Sequence, residues 1–220
     1  MSFLTALRFL TIIPLPGRRE ASPEEIGRSI VYFPVVGGII GLILVGLNWL
    51  LSLFLPSALV NVLLVVSLVA ISGALHLDGF VDTCDGMVSH KTVEERWRVM
   101  HDSRAGAFGI IGVCCLLLVK YVSLNDVPDS WLMQTLVLMP MVGRWAMVYA
   151  IFAYPYAKPS GLGKVFKQGA NWRRFTAATL ITLAVAVALA QLTGFIIMLA
   201  IWVIVVAMAT YLKGKFGGLT

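Results

Sequence analysis

The run His76-Leu77-Asp78-Gly79-Phe80-Val81-Asp82-Thr83-Cys84-Asp85-Gly86 spaces three aspartates at i, i+4 and i+7. On a helix those carboxylates share one face. Like charges so arranged repel one another and weaken the helix unless a cation sits between them. Oxygen-only ligands select Mg²⁺, Mn²⁺ or Ca²⁺ over softer metals, and the spacing is not that of an EF-hand loop. Mg²⁺ keeps several waters and commonly joins a few carboxylates to substrate phosphates, so the expected partner is a diphosphate. The plainer alternative is a solvated acidic loop. It is disfavoured because the cluster follows directly on an apolar span, where ionised aspartates are costly without partners.

Other residues offer anion chemistry. Asp102-Ser103-Arg104-Ala105-Gly106 stands just before an apolar run. A helix starting there presents free N–H groups and a positive dipole end to a phosphate, with Ser103 and Arg104 beside it. Arg144 lies inside an apolar run, roughly 14 Å along the helix from its cytoplasmic end at 1.5 Å per residue. Snorkelling does not cover that distance, so Arg144 should face the bundle interior, with Pro140 one turn earlier kinking the helix and opening space. Gly161-Leu162-Gly163-Lys164 can wrap an anionic group, although basic loop residues also serve simply as orientation signals. Lys120 is placed to snorkel.

The elements that must position these groups are membrane helices. Of 220 residues, 59% are hydrophobic and 13% charged, and the mean hydropathy is +0.90. Soluble domains run nearer half apolar and a quarter charged. Apolar runs of about 18 or more residues recur, the signal for transmembrane helices. Spans are predicted at 31–55, 58–75, 107–124, 131–153, 176–192 and 195–212, the last two joined at Thr193-Gly194. Arg and Lys fill alternate connections without exception: before the first span, over 76–104, over 154–174, and in the tail. Six spans with both termini in the cytoplasm follow from the positive-inside rule.

The expected fold is therefore an all-α polytopic bundle, one membrane domain over 1–220. It carries a cytoplasmic aspartate motif and amphipathic helix at 76–104, and a basic cytoplasmic loop at 154–174. Thr92 and Glu95 form a capping box that starts the amphipathic helix. Residues 1–13 suit a short helix lying in the interface, stopped at Pro14-Leu15-Pro16-Gly17. The net charge of +6 points to anionic lipid rather than nucleic acid. Cys84, Cys114 and Cys115 read as small apolar residues. Gly37 and Gly41 form a G-x-x-x-G, a sign of close helix packing within the chain or in a homo-oligomer.

H-L-D-G-F-V-D-T-C-D-G followed by M-H-D-S-R-A-G-A-F-G resembles the cobalamin synthase (adenosylcobinamide-GDP ribazoletransferase) family. Phe33-Pro34-Val35-Val36-Gly37, Gly143-Arg144 and Gly161-Leu162-Gly163-Lys164-Val165-Phe166 extend the resemblance over nearly the whole chain. It implies an Mg²⁺-dependent transferase of the cytoplasmic (inner) membrane, with its site facing the cytoplasm. Such an enzyme joins adenosylcobinamide-GDP to α-ribazole or its 5′-phosphate and releases GMP. Asp78, Asp82 and Asp85 match the family's metal motif. The substrates would meet Asp102, Ser103, Arg104, Arg144, Gly161, Gly163 and Lys164. A carboxylate such as Asp82, or His76 or His101, would take the hydroxyl proton. Family members continue past Gly217-Gly218-Leu219-Thr220 into a segment with further acids, which this chain does not contain. A prenyltransferase would carry a second Asp-rich helix. A transporter or corrinoid-binding protein would place its polar residues along a path between both faces.

Overall fold

The computed structural model describes residues 2–15, 21–88, 92–102, 104–158 and 160–219. They form α1 (Ser2–Leu10), α2 (Pro23–Ser29), a 3₁₀ turn (Ile30–Tyr32), α3 (Phe33–Leu51), α4 (Ser57–Ile71), α5 (Leu75–Val88), α6 (Val93–Met100), α7 (Ala107–Asn125), α8 (Asp129–Ala153), α9 (Leu162–Gly169) and α10 (Trp172–Phe216). The all-α expectation holds. Among the described residues, four stretches are long and apolar enough to cross a membrane: Pro23–Leu51, α7, α8 and α10. A fifth is added if α4 and α5 make one bent crossing.

The chain divides into two compact units, one of Met1–Val45 and Met133–Thr220, the other of Gly46–Leu132. In the first unit α3 lies against α8 through its G-x-x-x-G. A Cβ on Gly37 would come 2.4 Å from the Pro140 carbonyl oxygen, and one on Gly41 would come 2.5 Å from Val137 Cα and 2.7 Å from the Leu136 oxygen. Pro140 has no N–H for the carbonyl of residue 136, which is left over. The α-carbon of Gly41 fits against that oxygen. Pro140 thus makes a notch that α3 fills, not the open space expected of it, and the G-x-x-x-G is used within the chain.

α10 is 45 residues long, about 67 Å if straight, against a hydrocarbon core of about 30 Å. It is not straight. Gln191 has φ 48° and ψ −131°, and a Cβ on Gly194 would lie 2.1 Å from the Ala186 oxygen. Residues eight apart meet only if the chain doubles back. The core agrees: Ala186 and Ala190 before the break and Met198 after it pack on Leu138, Val142 and Trp145 of α8. The turn expected at Thr193-Gly194 is present, two residues early. Gly194→Ala should lower the melting temperature of the solubilised protein, by the ~1–3 kcal/mol typical of overpacking or more. Gly46→Ala, where a Cβ meets nothing within 4 Å, should raise stability by about 0.5–1 kcal/mol. Equal melting temperatures for the two variants would contradict the hairpin.

Basic residues of the expected loop also hold helix ends together. Lys167 Nζ donates to the Ile151 and Phe152 carbonyls at 3.0 and 2.8 Å, capping the C-terminus of α8, where a cation also suits the dipole. Burial lowers its pKa. Arg174 donates to the carbonyls of Gly169 and Gly27 where α2 and α9 cross at their glycines.

In the second unit the α4–α5 pair bends by 90°. Gly73 and Ala74 both have positive φ, at 60° and 54°, and the Ser72 hydroxyl donates back to Leu68 at 2.9 Å and Val69 at 3.1 Å. Sequence periodicity ran the span through Leu75. The structure stops α4 at Ile71 and gives Leu75 to α5. Asn61 of α4 donates to Asn125 of α7 at 3.2 Å, a polar clasp between two otherwise apolar helices.

Candidate functional site

The three aspartates do lie on one helix, α5, within about 60° of arc at 100° per residue. Their environments differ. Asp78 is exposed, and Asp82 and Asp85 are partly buried. One oxygen of Asp85 accepts from Gly106 N and the other from Gly109 N, each at 2.8 Å. Gly106 is the N-cap residue of α7 and Gly109 stands three residues later, so Asp85 takes two of the N–H groups that α7 cannot pair internally. Two of the free N–H groups at the α7 N-terminus, where the sequence places an anion, are taken by the chain's own Asp85 carboxylate.

The glycines allow this approach. A Cβ on Gly106 or Gly109 would come 2.5 Å from an Asp85 oxygen, and one on Gly112 would come 2.8 Å from Cys84 Sγ. α5 therefore lies in a groove made by glycines three apart on α7. The spacing Gly106, Gly109, Gly112 was visible in the sequence but carried no meaning until its partner was known. At its C-terminal end α5 is closed by Arg96, which is 8% exposed and donates to the Gly86 and Met87 carbonyls at 2.8 and 2.9 Å. Arg96 sits on the amphipathic helix α6, whose expected capping box is present. It escaped notice in the sequence because a cap on a neighbouring helix has no local signature.

The Asp85–Gly106 contact also brings the Asp102–Arg104 turn to α5. Ser103 lies outside the described residues. Asp102 Oδ1 accepts from Arg104 N at 3.0 Å and Nε at 3.1 Å, and Oδ2 accepts from Nη2 at 2.9 Å. The Arg104 side-chain hydrogen bond, then the backbone one, hold the Asp102 carboxyl at about 2, below the ordinary 3.8. Arg104 is 87% exposed at its side chain and is thus held in one orientation with donors toward solvent. A depressed carboxyl pKa means the contact is complete above the ordinary value and lost as pH falls toward about 2. A carbon-13 carboxyl titration of Asp102 should find its midpoint near 2. A midpoint near 3.8 would mean that the fork does not persist.

His76, the second residue of α5, is partly buried. His101, the C-cap of α6, has Nδ1 2.5 Å from the Trp97 carbonyl. A carbonyl accepts only, so the ring donates there through Nδ1–H.

The remaining expected site residues lie in the first unit. Arg144 is 7% exposed, as predicted, and its Nε has no hydrogen-bond partner among the described residues. It shares a helix face with Pro140 and Met141, the face that meets α3. Gly161 has φ 111° at the N-cap of α9, and a Cβ on Gly163 would lie 2.3 Å from the Tyr156 ring. Backbone conformation and ring packing thus explain both glycines. Lys164 is exposed. The tail meets the start of this loop: Leu219 N donates to Pro155 O, and Ala157 N to Leu219 O, both at 2.9 Å. Beside α9, Thr5, Arg8, Phe9, Ala21, Ile26, Leu162 and Phe166 line a cavity of about 230 Å³, which no local pattern announces because α1, α2 and α9 each contribute only part of it.

Among the described residues, no three His, Cys, Asp or Glu side chains gather closely enough to hold a metal ion. The donor set still suits Mg²⁺, which takes one or two carboxylates and fills its shell with waters and substrate phosphate. Asp78 and Asp82, on adjacent turns of α5, fit that description. Asp85 is occupied elsewhere.

Comparison with known proteins agrees with the motifs. The family model described as cobalamin-5-phosphate synthase matches residues 2–220. A curated relative from Roseiflexus sp., named adenosylcobinamide-GDP ribazoletransferase, is 37% identical over 98% of this chain and 80% of its own length. Relatives of the same name from Geotalea daltonii and Desulforamulus reducens are 40% and 34% identical. The first alignment covers 87% of this chain and 77% of the relative, the second 100% and 88%. No solved structure matches. With that coverage and the aspartate and D-S-R motifs in place, the chain belongs to the cobalamin-5-phosphate synthase family.

Proposed function

We infer that this chain carries out the reaction named for its relatives, joining adenosylcobinamide-GDP to α-ribazole or α-ribazole 5′-phosphate and releasing GMP. The observation that carries this reading is the docking of the aspartate helix α5 on the α7 N-terminus, where Asp85 meets Gly106, two residues beyond Arg104. Asp78 and Asp82 would hold Mg²⁺, which would neutralise charge on the diphosphate. Arg104 offers its outward donors to a phosphate oxygen. The ribazole hydroxyl attacks the phosphorus next to cobinamide. A new P–O bond forms, the P–O bond to GMP breaks, and GMP departs with the bridging oxygen. The hydroxyl proton goes to a carboxylate of α5 or to His76 or His101. A loose transition state asks little of that base. Within the first unit, Arg144 is a buried guanidinium and Lys164 a surface cation, each suited to an anionic group.

The Gln191 reversal makes two crossings of α10. With the α2–α3 run, the bent α4–α5 pair taken as one crossing, α7 and α8, this supports a reading of six spans, and the alternating basic segments support cytoplasmic termini and a cytoplasmic aspartate motif. The test is to supply both substrates to the purified chain in lipid vesicles. A corrinoid product should form one-for-one with GMP. GMP release that does not require the ribazole would indicate a hydrolase instead, and no release would overturn the reading.

A further inference from the structure

We propose that Asp85 is a positioning residue and not a metal ligand: it fastens α5 to the α7 N-terminus and so fixes the angle at which Asp78 and Asp82 face the substrate. This rests on the reading of Asp78 and Asp82 as the metal-holding pair. Both Asp85 oxygens point at backbone donors, Gly106 N and Gly109 N, at 2.8 Å. A metal approaching Asp85 would have to share oxygens already facing the positive end of a helix. The groove around it is shaped for that contact, since a Cβ on Gly106 or on Gly109 would come 2.5 Å from an Asp85 oxygen. Of the three aspartates, Asp85 lies nearest the face carrying Val81 and Cys84, which meets α7. Asp78 and Asp82 lie on the flank beyond it. Rotating α5 by a fraction of a turn would carry the pair off the substrate phosphates while leaving their mutual spacing intact.

The test compares Asp85→Asn, Asp85→Ala, Gly109→Ala and Asp82→Asn in lipid nanodiscs. Each is read for Mn²⁺ affinity and line shape by electron paramagnetic resonance, and for the kcat of GMP formation. Asparagine keeps one acceptor for an N–H, so kcat should rank wild type above Asp85→Asn and that above Asp85→Ala. The expected loss in Asp85→Asn is about tenfold to a hundredfold, the cost of small misplacement. Gly109→Ala should reproduce that loss although it leaves every carboxylate in place. All three should bind Mn²⁺ close to wild-type strength with an altered line shape, whereas Asp82→Asn should weaken binding by about tenfold or more. The proposal is overturned if Asp85→Asn weakens Mn²⁺ as much as Asp82→Asn does while Gly109→Ala changes neither kcat nor line shape. A wild-type chain that binds Mn²⁺ through Asp82 but makes no GMP would sink the transferase reading alone, because affinity and line shape still decide the role of Asp85. A wild-type chain with no Mn²⁺ site overturns both.

Discussion

Asp82→Ala is expected to lower GMP formation about a thousandfold, equivalent to about 4 kcal/mol of transition-state stabilisation. Asp82 sits one turn from Asp78 and is partly buried on α5, the flank left once Asp85 is committed to α7. A cation held by two carboxylates loses half its protein ligands in this variant, and the diphosphate loses its neutralising charge. His76→Ala and His101→Ala should each cost less than Asp82→Ala, since a loose phosphoryl-transfer transition state gains little from a base. Steady-state GMP formation by the three variants in vesicles checks the order. If His76→Ala abolished turnover while Asp82→Ala kept most of it, the chemistry would be centred on the imidazole and the metal assignment would fall.

Arg144→Met should lower GMP formation by about tenfold to a hundredfold, the usual cost of one charge-assisted hydrogen bond, with the melting temperature unchanged or raised. The second half separates a substrate contact from a structural ion pair. Arg144 is 7% exposed within a membrane helix, and its Nε has no partner among the described residues. A cation in that setting costs several kcal/mol before any substrate arrives, and an apolar side chain of similar size removes the cost. Breaking a structural pair would do the opposite, because it strands the partner charge. Thermal unfolding beside the activity assay settles the matter. Lost stability with intact activity would make Arg144 structural.

Much of this was legible in the residues. Hydropathy placed the helices, since a bilayer demands long apolar runs. The spacing of Asp78, Asp82 and Asp85 predicted one shared helix face, and Thr92 with Glu95 predicted the start of α6. Arg144 was read as buried because its depth exceeds snorkelling reach.

What the sequence did not reveal is what depends on a partner helix. The three aspartates look equivalent along the chain, and only the position of α7 separates Asp85 from the other two. The α7 N-terminus looked open to phosphate because nothing nearby in sequence caps it, the cap coming from 21 residues earlier. Gly161 and Gly163 looked like a phosphate loop, yet a φ of 111° and the Tyr156 ring already account for them. Pro140 signalled a kink with room around it, but the space is occupied by Gly37 and Gly41. Arg96, Lys167 and Arg174 counted only as positive charges in the sequence. In the structure they are caps and clamps on particular carbonyls.

If the carboxylates of α5 work through a divalent cation, one titration will show it. The purified chain in vesicles is stripped of divalent ions with a chelator. Both substrates are then supplied, and GMP is followed as Mg²⁺ is returned, with Asp82→Asn measured in parallel. The stripped wild type should make no GMP and recover as Mg²⁺ rises, and the curve for Asp82→Asn should be displaced to higher Mg²⁺ or flat: that is the metal-dependent outcome. Undiminished GMP formation by the stripped wild type, or coincident curves for the two proteins, would contradict it.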